Sequence, residues 1–352
     1  MLNGMAIAVI VVILLGLSFD FINGFHDTAN SIATAVSTRV VSPKVAIMGA
    51  AVLNIIGALT SQQVAATISQ GILQDKYMPD KMGVLCIVIS ALVAAIIWNL
   101  VTWYLGMPSS SSHALFGGLI GSAAAYVGSF SVLKWYEPHG NHFYEAKGIL
   151  MKILVPLFSS PVIGFFLGFL VMRFLYYILR NRSFNFVNRY FSKLQIVSAA
   201  LMAFAHGGND AQKSMGIITI ALMAVGWNEG KTSPIFPVVL ACAIAMGLGT
   251  SVGGWKIIKT IGVNMIKLQP VHGFAAETGA AAVIETMTRL GAPVSTTHII
   301  TTSIMGVGAS KRLSAVKWSL ARDILWAWLL TIPVTAFIGA LVAVLLKLVI
   351  FR

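Results

Sequence analysis

Leu105-Gly106-Met107-Pro108-Ser109-Ser110-Ser111-Ser112-His113 is answered later in the chain by Leu290-Gly291-Ala292-Pro293-Val294-Ser295-Thr296-Thr297-His298. Aligned without a gap from Leu105 to Ala123 and from Leu290 to Gly308, six of 19 positions are identical. A second pair lies upstream of each: Gly24-Phe25-His26-Asp27-Thr28-Ala29-Asn30-Ser31, then Gly207-Gly208-Asn209-Asp210-Ala211-Gln212-Lys213-Ser214. An acid-bearing motif and a hydroxyl-rich motif are thus duplicated in the same order. Matching polar segments, broken by Gly and Pro within an apolar chain, point to a transporter's binding site.

The surroundings are those of a membrane. The 352 residues are 57% apolar and only 10% charged, which excludes an ordinary soluble domain. No Asp, Glu, Lys or Arg occurs in Val45–Gln74, Met82–Leu133, Thr232–Trp255 or Ile324–Leu346. About 20 mainly apolar residues cross a bilayer, so these stretches hold several crossings. Met1–Leu17 lacks a basic leading region and a cleavage site, so it reads as a retained first span. The expected fold is all-α and polytopic, with about 10–12 membrane segments.

The net charge of +13 does not indicate nucleic acid, because the basic residues gather in loops. Arg173, Arg180, Arg182, Arg189 and Lys193 form one group, and Lys311, Arg312, Lys317 and Arg322 another. Such loops stay cytoplasmic. The first group divides the chain into repeats at 1–180 and 194–352, joined by a short basic cytoplasmic linker at 181–193. Equivalent loops differ in charge. Arg39–Lys44 is basic where Trp227–Lys231 has one Glu and one Lys, and Tyr126–Gly148 is mixed where its counterpart is Lys311–Arg322. Equivalent loops on opposite faces make the repeat inverted. Cys86 and Cys242 have no partner spacing, so neither a disulfide nor a cysteine metal site is expected.

Helix breaks are expected at Asn23-Gly24, Gly207-Gly208, Met107-Pro108 and Ala292-Pro293, as broken helices or re-entrant hairpins meeting near the midplane. Asp27 and Asp210 are then intramembrane carboxylates, functional by default and suited to Na⁺ or a titrating proton. Ser109, Ser110, Ser111 and Ser112, with Ser295, Thr296 and Thr297, place hydroxyls beside helix N-termini, where an anion binds. His113 and His298 either serve that site or orient the hairpins. Lys213, which replaces Asn30 in the second copy, either neutralises a charge at the site or snorkels to the surface. Glu277 is a further acid in an apolar stretch, and Glu285 has Arg289 at (i, i+4). Acids and anion donors in one site suggest cation-coupled transport of an oxyanion.

Gly207-Gly208-Asn209-Asp210-Ala211, Pro108–His113, Pro293–His298 and Trp98–Gly106 closely resemble the signatures of the inorganic phosphate transporter (PiT) family, over essentially the whole chain. The resemblance implies inorganic phosphate as substrate, symport with H⁺ or Na⁺, two inverted halves and a multi-pass protein of the bacterial cytoplasmic membrane, with no enzymatic activity. By position, Asp27 and Asp210 match the family's essential acids, with His26, Asn30, Ser31 and Glu277 beside them on the coupling-cation side. Thr28, Asn209, Lys213 and the Ser/Thr runs fall on the substrate side. The family's Gly-Ala-Asn-Asp is here Gly24-Phe25-His26-Asp27. Histidine is a poorer Na⁺ ligand and a proton carrier, so the resemblance is to the low-affinity, proton-coupled type, some of which carry neutral metal–phosphate complexes. No cofactor is expected beyond a bound Na⁺ at Asp27/Asp210 or a divalent metal carried with phosphate. Sulfate in place of phosphate, a passive anion channel and an intramembrane serine hydrolase stand as alternatives. The last lacks a Gly-x-Ser-x-Gly elbow. Oligomeric state, a homodimer included, is not fixed by these residues.

Overall fold

A computed structural model describes residues 2–138, 146–228 and 231–350. His139, His142, Glu145 and Glu229, which entered the loop-charge comparison, lie outside the described residues. The first half folds into α1 (Leu2–Ser37), α2 (Pro43–Ala58), α3 (Gln63–Gly71), α4 (Lys81–Leu105), α5 (Ser111–Val127) and α6 (Val155–Leu179). The second gives α7 (Phe184–Val225), α8 (Phe236–Val252), α9 (Trp255–Lys259), α10 (Pro270–Arg289), α11 (Thr296–Lys311) and α12 (Trp318–Ile350).

The breaks at Pro108 and Pro293 form as expected, and in the same way. α4 ends at Gly106 with φ 69°, and α10 is followed by Gly291, also at φ 69°, a conformation that favours glycine. After each proline a serine opens the next helix: Ser110 Oγ accepts from His113 N at 3.1 Å, and Ser295 Oγ from His298 N at 3.3 Å.

The breaks expected at Asn23-Gly24 and Gly207-Gly208 do not form. α1 and α7 run through them without interruption. The glycines serve close packing instead. A Cβ on Gly24 would lie 2.3 Å from Met246 O, and one on Gly207 would lie 2.2 Å from Asn54 O. Helices approach that closely in a membrane by using small residues, and the contact offsets glycine's helix cost of about 1 kcal/mol.

The segment between the halves is mostly helical. Only Arg180–Ser183 is non-helical, and 184–193 form the first turns of α7. Ser183 caps that helix by accepting from Phe186 N at 3.3 Å. At ~1.5 Å per residue the 42-residue α7 is ~63 Å long, roughly twice a ~30 Å hydrocarbon layer, so its basic start projects beyond it.

Among the described residues, Gly4–Ser37, Lys81–Leu105, Leu150–Leu179 and Trp318–Ile350 are long and apolar enough to cross a bilayer. The pair α2–α3, bent by 61°, and a second pair over Phe236–Val252 and Lys256–Gly262, bent by 66°, bring the total to six if each pair is one span. The shorter and more polar of the twelve helices are outside that count. α7, α10 and α11 carry the polar motifs, and α5 and α11 have 17 and 16 residues.

The halves interlock. α1 packs on α8 and α7 on α2; α5 packs on α12 and α11 on α6; α4 packs on α12 and α10 on α6. Each contact recurs with the halves exchanged. Two apolar cores result. One takes Phe19 of α1 and Ala211–Leu222 of α7, and the other takes Ala29–Ala33 of α1 and Met202–Ala205 of α7. Between them, a polar seam holds both duplicated acids.

Candidate functional site

Asp27 and Asp210 stand on neighbouring turns of α1 and α7, both fully buried. His206, one turn before Asp210, lies between them, with Nε2 3.4 Å from Asp210 Oδ2 and 4.0 Å from Asp27 Oδ2. Its other ring nitrogen is 3.2 Å from Asn54 Oδ1. Asn54 donates its own amide to Thr250 Oγ1 at 2.8 Å, which turns the carbonyl oxygen toward the ring. The Nδ1–H therefore donates to Asn54, and Nε2 faces the two carboxylates without a hydrogen-bond partner. A lone pair opposite two carboxylates calls for a positive charge, met by a proton on Nε2 or by a small cation. Asp27, His206 and Asp210 offer donor atoms within 4.8 Å of one another, a set that suits either.

The hydroxyls of α11 reach the same place. Thr297 Oγ1 donates to Asp27 Oδ2 at 3.2 Å, and Thr296 Oγ1 to Asp210 Oδ2 at 3.1 Å. Asn30 Nδ2 donates to Thr297 Oγ1 at 2.9 Å, and Asn23 Nδ2 to Asp210 Oδ2 at 3.4 Å. Lys213 does not snorkel: it is fully buried, and its Nζ lies 2.6 Å from Asp210 Oδ1. His26 Nδ1 lies 2.6 Å from Asp27 Oδ1. Two acids, two imidazoles, one ammonium and two hydroxyls at a helix N-terminus thus form one buried cluster.

Further contacts hold that cluster in place. His26 Nε2 is 3.1 Å from Thr102 Oγ1, which lies 2.7 Å from Ser109 Oγ, so His26 holds the break before α5. Asn209 does the same in the second half: its amide donates to Thr288 Oγ1 at 2.8 Å and its oxygen accepts from Val294 N at 3.3 Å. Ser110 and Ser295 are spent on capping, and Ser112 donates to Val294 O at 2.8 Å. Among the described residues no hydroxyl of the Ser109–Ser112 run bonds a carboxylate. Ser111 and Ser31 are buried nearby, and Thr28 bonds back to Gly24 O at 2.7 Å. His113 and His298 lie with ring centroids 4.6 Å apart and planes tilted by 33°, and His298 stacks on Trp328 at 3.7 Å, which places both beside the hairpin tips.

Glu277 is brought to a separate place. Thr34 of α1 and Ser198 of α7 each donate to one of its oxygens. The expected Glu285–Arg289 pair forms at 2.8 Å. Sequence reasoning missed His206, Asn23, Asp20, Thr34 and Ser198. Extending the motif comparison one residue upstream finds two of them, since His206 stands opposite Asn23 just as Asn209 stands opposite His26.

The chain matches the model of the Phosphate transporter family over residues 23–189 and 179–339. It is 45% identical to a protein of Bacillus subtilis (strain 168) named a probable low-affinity inorganic phosphate transporter, over 97% of this chain and 98% of that one. A protein of Rhizobium meliloti (strain 1021) with the same name is 44% identical over 94% of this chain and 93% of its own. Among solved structures, one named the sodium-dependent phosphate transporter superposes with a TM-score of 0.83 at 24% identity, covering 97% of this chain and 99% of that chain. That likeness extends to the fold.

Proposed function

Since the chain belongs to the phosphate transporter family, we propose that it imports inorganic phosphate with low affinity, coupled to H⁺, by alternating access around the Asp27–Asp210 cluster. The observation that carries this reading is that Thr296 and Thr297 open a helix and donate to acids from opposite halves. Hydroxyls and the positive end of α11 suit a tetrahedral oxyanion, and the carboxylates suit the coupling charge. An oxyanion beside two carboxylates needs both acids neutralised, which couples cation uptake to phosphate binding.

The nitrogens around the acids favour the proton. Asp27 and Asp210 are partnered by His26, His206 and Lys213, whereas Na⁺ prefers a cage of oxygens. Sodium is the second reading, supported by the name that the structural neighbour carries. A divalent metal carried with phosphate is a third, supported by the mixed carboxylate and imidazole donors. The inverted sense of the repeat rests on the loop charges, and the two-fold exchange of helix partners fits it. The bacterial inner membrane is the expected location. Labelled-phosphate uptake into proteoliposomes, under separately imposed H⁺ and Na⁺ gradients with sulfate as competitor, tests the proposal. Uptake driven by Na⁺ alone, or sulfate competing equally, overturns it.

A further inference from the structure

Asp20 is a fully buried carboxylate outside both duplicated motifs. Ser214 Oγ donates to its Oδ1 at 2.7 Å, while its Oδ2 has no partner. Asp27 stands seven residues further along α1, and Thr34, which donates to Glu277, seven beyond that. Seven residues are close to two turns, so all three lie on one face of the helix, ~10.5 Å apart along its axis at ~1.5 Å per residue. α7 crosses the same face in the opposite direction. It presents Ser214 to Asp20, His206 to Asp27 and Ser198 to Glu277. Among the described residues, the charged and titratable groups facing Asp20 are Asp210 and Lys213 from α7 and Cys242 from α8, and α4 presents none to it.

The three levels also have a direction. The end of α1 nearest Glu277 continues into Arg39 and Lys44, and the adjoining start of α7 carries Arg189 and Lys193. Basic ends face the cytoplasm, so Glu277 is on the inward side of the paired acids and Asp20 on the outward side. A carboxylate placed only to tie α1 to α7 would have both oxygens satisfied, since a buried polar atom left unbonded is costly.

We propose that Asp20 is the outward station of the coupling-proton path, taking up H⁺ from outside and passing it to the paired acids, with Glu277 receiving it on the inward side. This rests on the proton-coupled reading above. In the transfer an O–H bond breaks at Asp20 and an N–H bond forms at His206 Nε2, the unpartnered nitrogen between the paired acids. No electrons are exchanged, and Asp20 returns to its carboxylate.

Full-length Asp20→Asn in proteoliposomes is the test, because asparagine still accepts from Ser214 but carries no proton. Exchange of labelled for unlabelled phosphate, which needs no net proton movement, stays near wild type, while accumulation driven by an H⁺ gradient falls by about tenfold or more. Ser214→Ala removes the tie and keeps the acid, so its accumulation stays within about twofold of wild type. Wild-type accumulation by Asp20→Asn overturns the station. Equal loss of exchange and accumulation, or a matching loss in Ser214→Ala, overturns it too. Wild-type protein that responds to Na⁺ and not to H⁺ removes the proton reading itself, and the two failures are thereby distinguished.

Discussion

α1 and α7 carry the same acid in the same seam, yet each surrounds it differently. Asp27 has imidazoles as its nitrogen partners, His26 at 2.6 Å and the shared His206. Asp210 has the Lys213 ammonium at 2.6 Å. One acid therefore has an imidazole as its near partner and the other an ammonium, with His206 between the two. The duplicated motif builds a site whose halves differ in the nitrogen each acid meets. The exchange of His and Asn between the copies keeps each break pinned, by His26 in one half and Asn209 in the other.

The largest test of that difference is to remove each charge in turn. Asp27→Asn and Asp210→Asn should both abolish uphill uptake, but they should differ in stability. Asp210→Asn strands Lys213 as a buried unpaired ammonium, a loss of about 3–5 kcal/mol, whereas Asp27→Asn leaves histidines that can be neutral. Thermal unfolding in detergent measures it, and Lys213→Met should restore the stability of Asp210→Asn without restoring transport. Equal unfolding of the two single variants would break the comparison. Next come the glycines, where the copies are alike. Gly24→Ala and Gly207→Ala each push a methyl into backbone and should each cost about 1–3 kcal/mol, read as similar falls in melting temperature.

A smaller effect sharpens the chemical contrast. His26→Asn makes the first copy read like the second, and should lower H⁺-driven uptake into proteoliposomes by about tenfold. Unchanged uptake would leave His206 as the imidazole that matters. Smallest are the hydroxyls: Thr296→Val and Thr297→Val each remove one hydrogen bond of about 1 kcal/mol, and should raise the KM for phosphate roughly fivefold. Ser112→Ala, whose hydroxyl meets Val294 O rather than a carboxylate, should change it less.

Much of this was legible in the sequence. Pro108 and Pro293 announce their breaks because proline and a following serine act locally. Asp27 and Asp210 announce a site because a charge in an apolar run needs a reason. Gly24 and Gly207 misled, since a glycine that bends a helix and one that admits a neighbour look alike until Met246 and Asn54 are in place. His206 was hidden for a related reason. Its role depends on Asn54, 152 residues away, which fixes the ring and leaves Nε2 toward the acids. Unequal use of the two hydroxyl runs was equally invisible, because Thr297 and Ser112 differ mainly in what stands opposite.

The pairing of α5 with α12 bears on how the protein is made. Gly121 lies against the backbone of Ala336 and Gly117 against Ile332 and Thr335, so α5 docks on a helix made about 200 residues after it. Until then α5 has α4 beside it but lacks the helix that covers its small-residue face. A chain released before Trp318 exposes that small-residue stripe to lipid and to quality-control proteases. Assembly of the membrane domain is therefore gated by α12, and deleting that helix should lower the yield of folded protein before it touches transport.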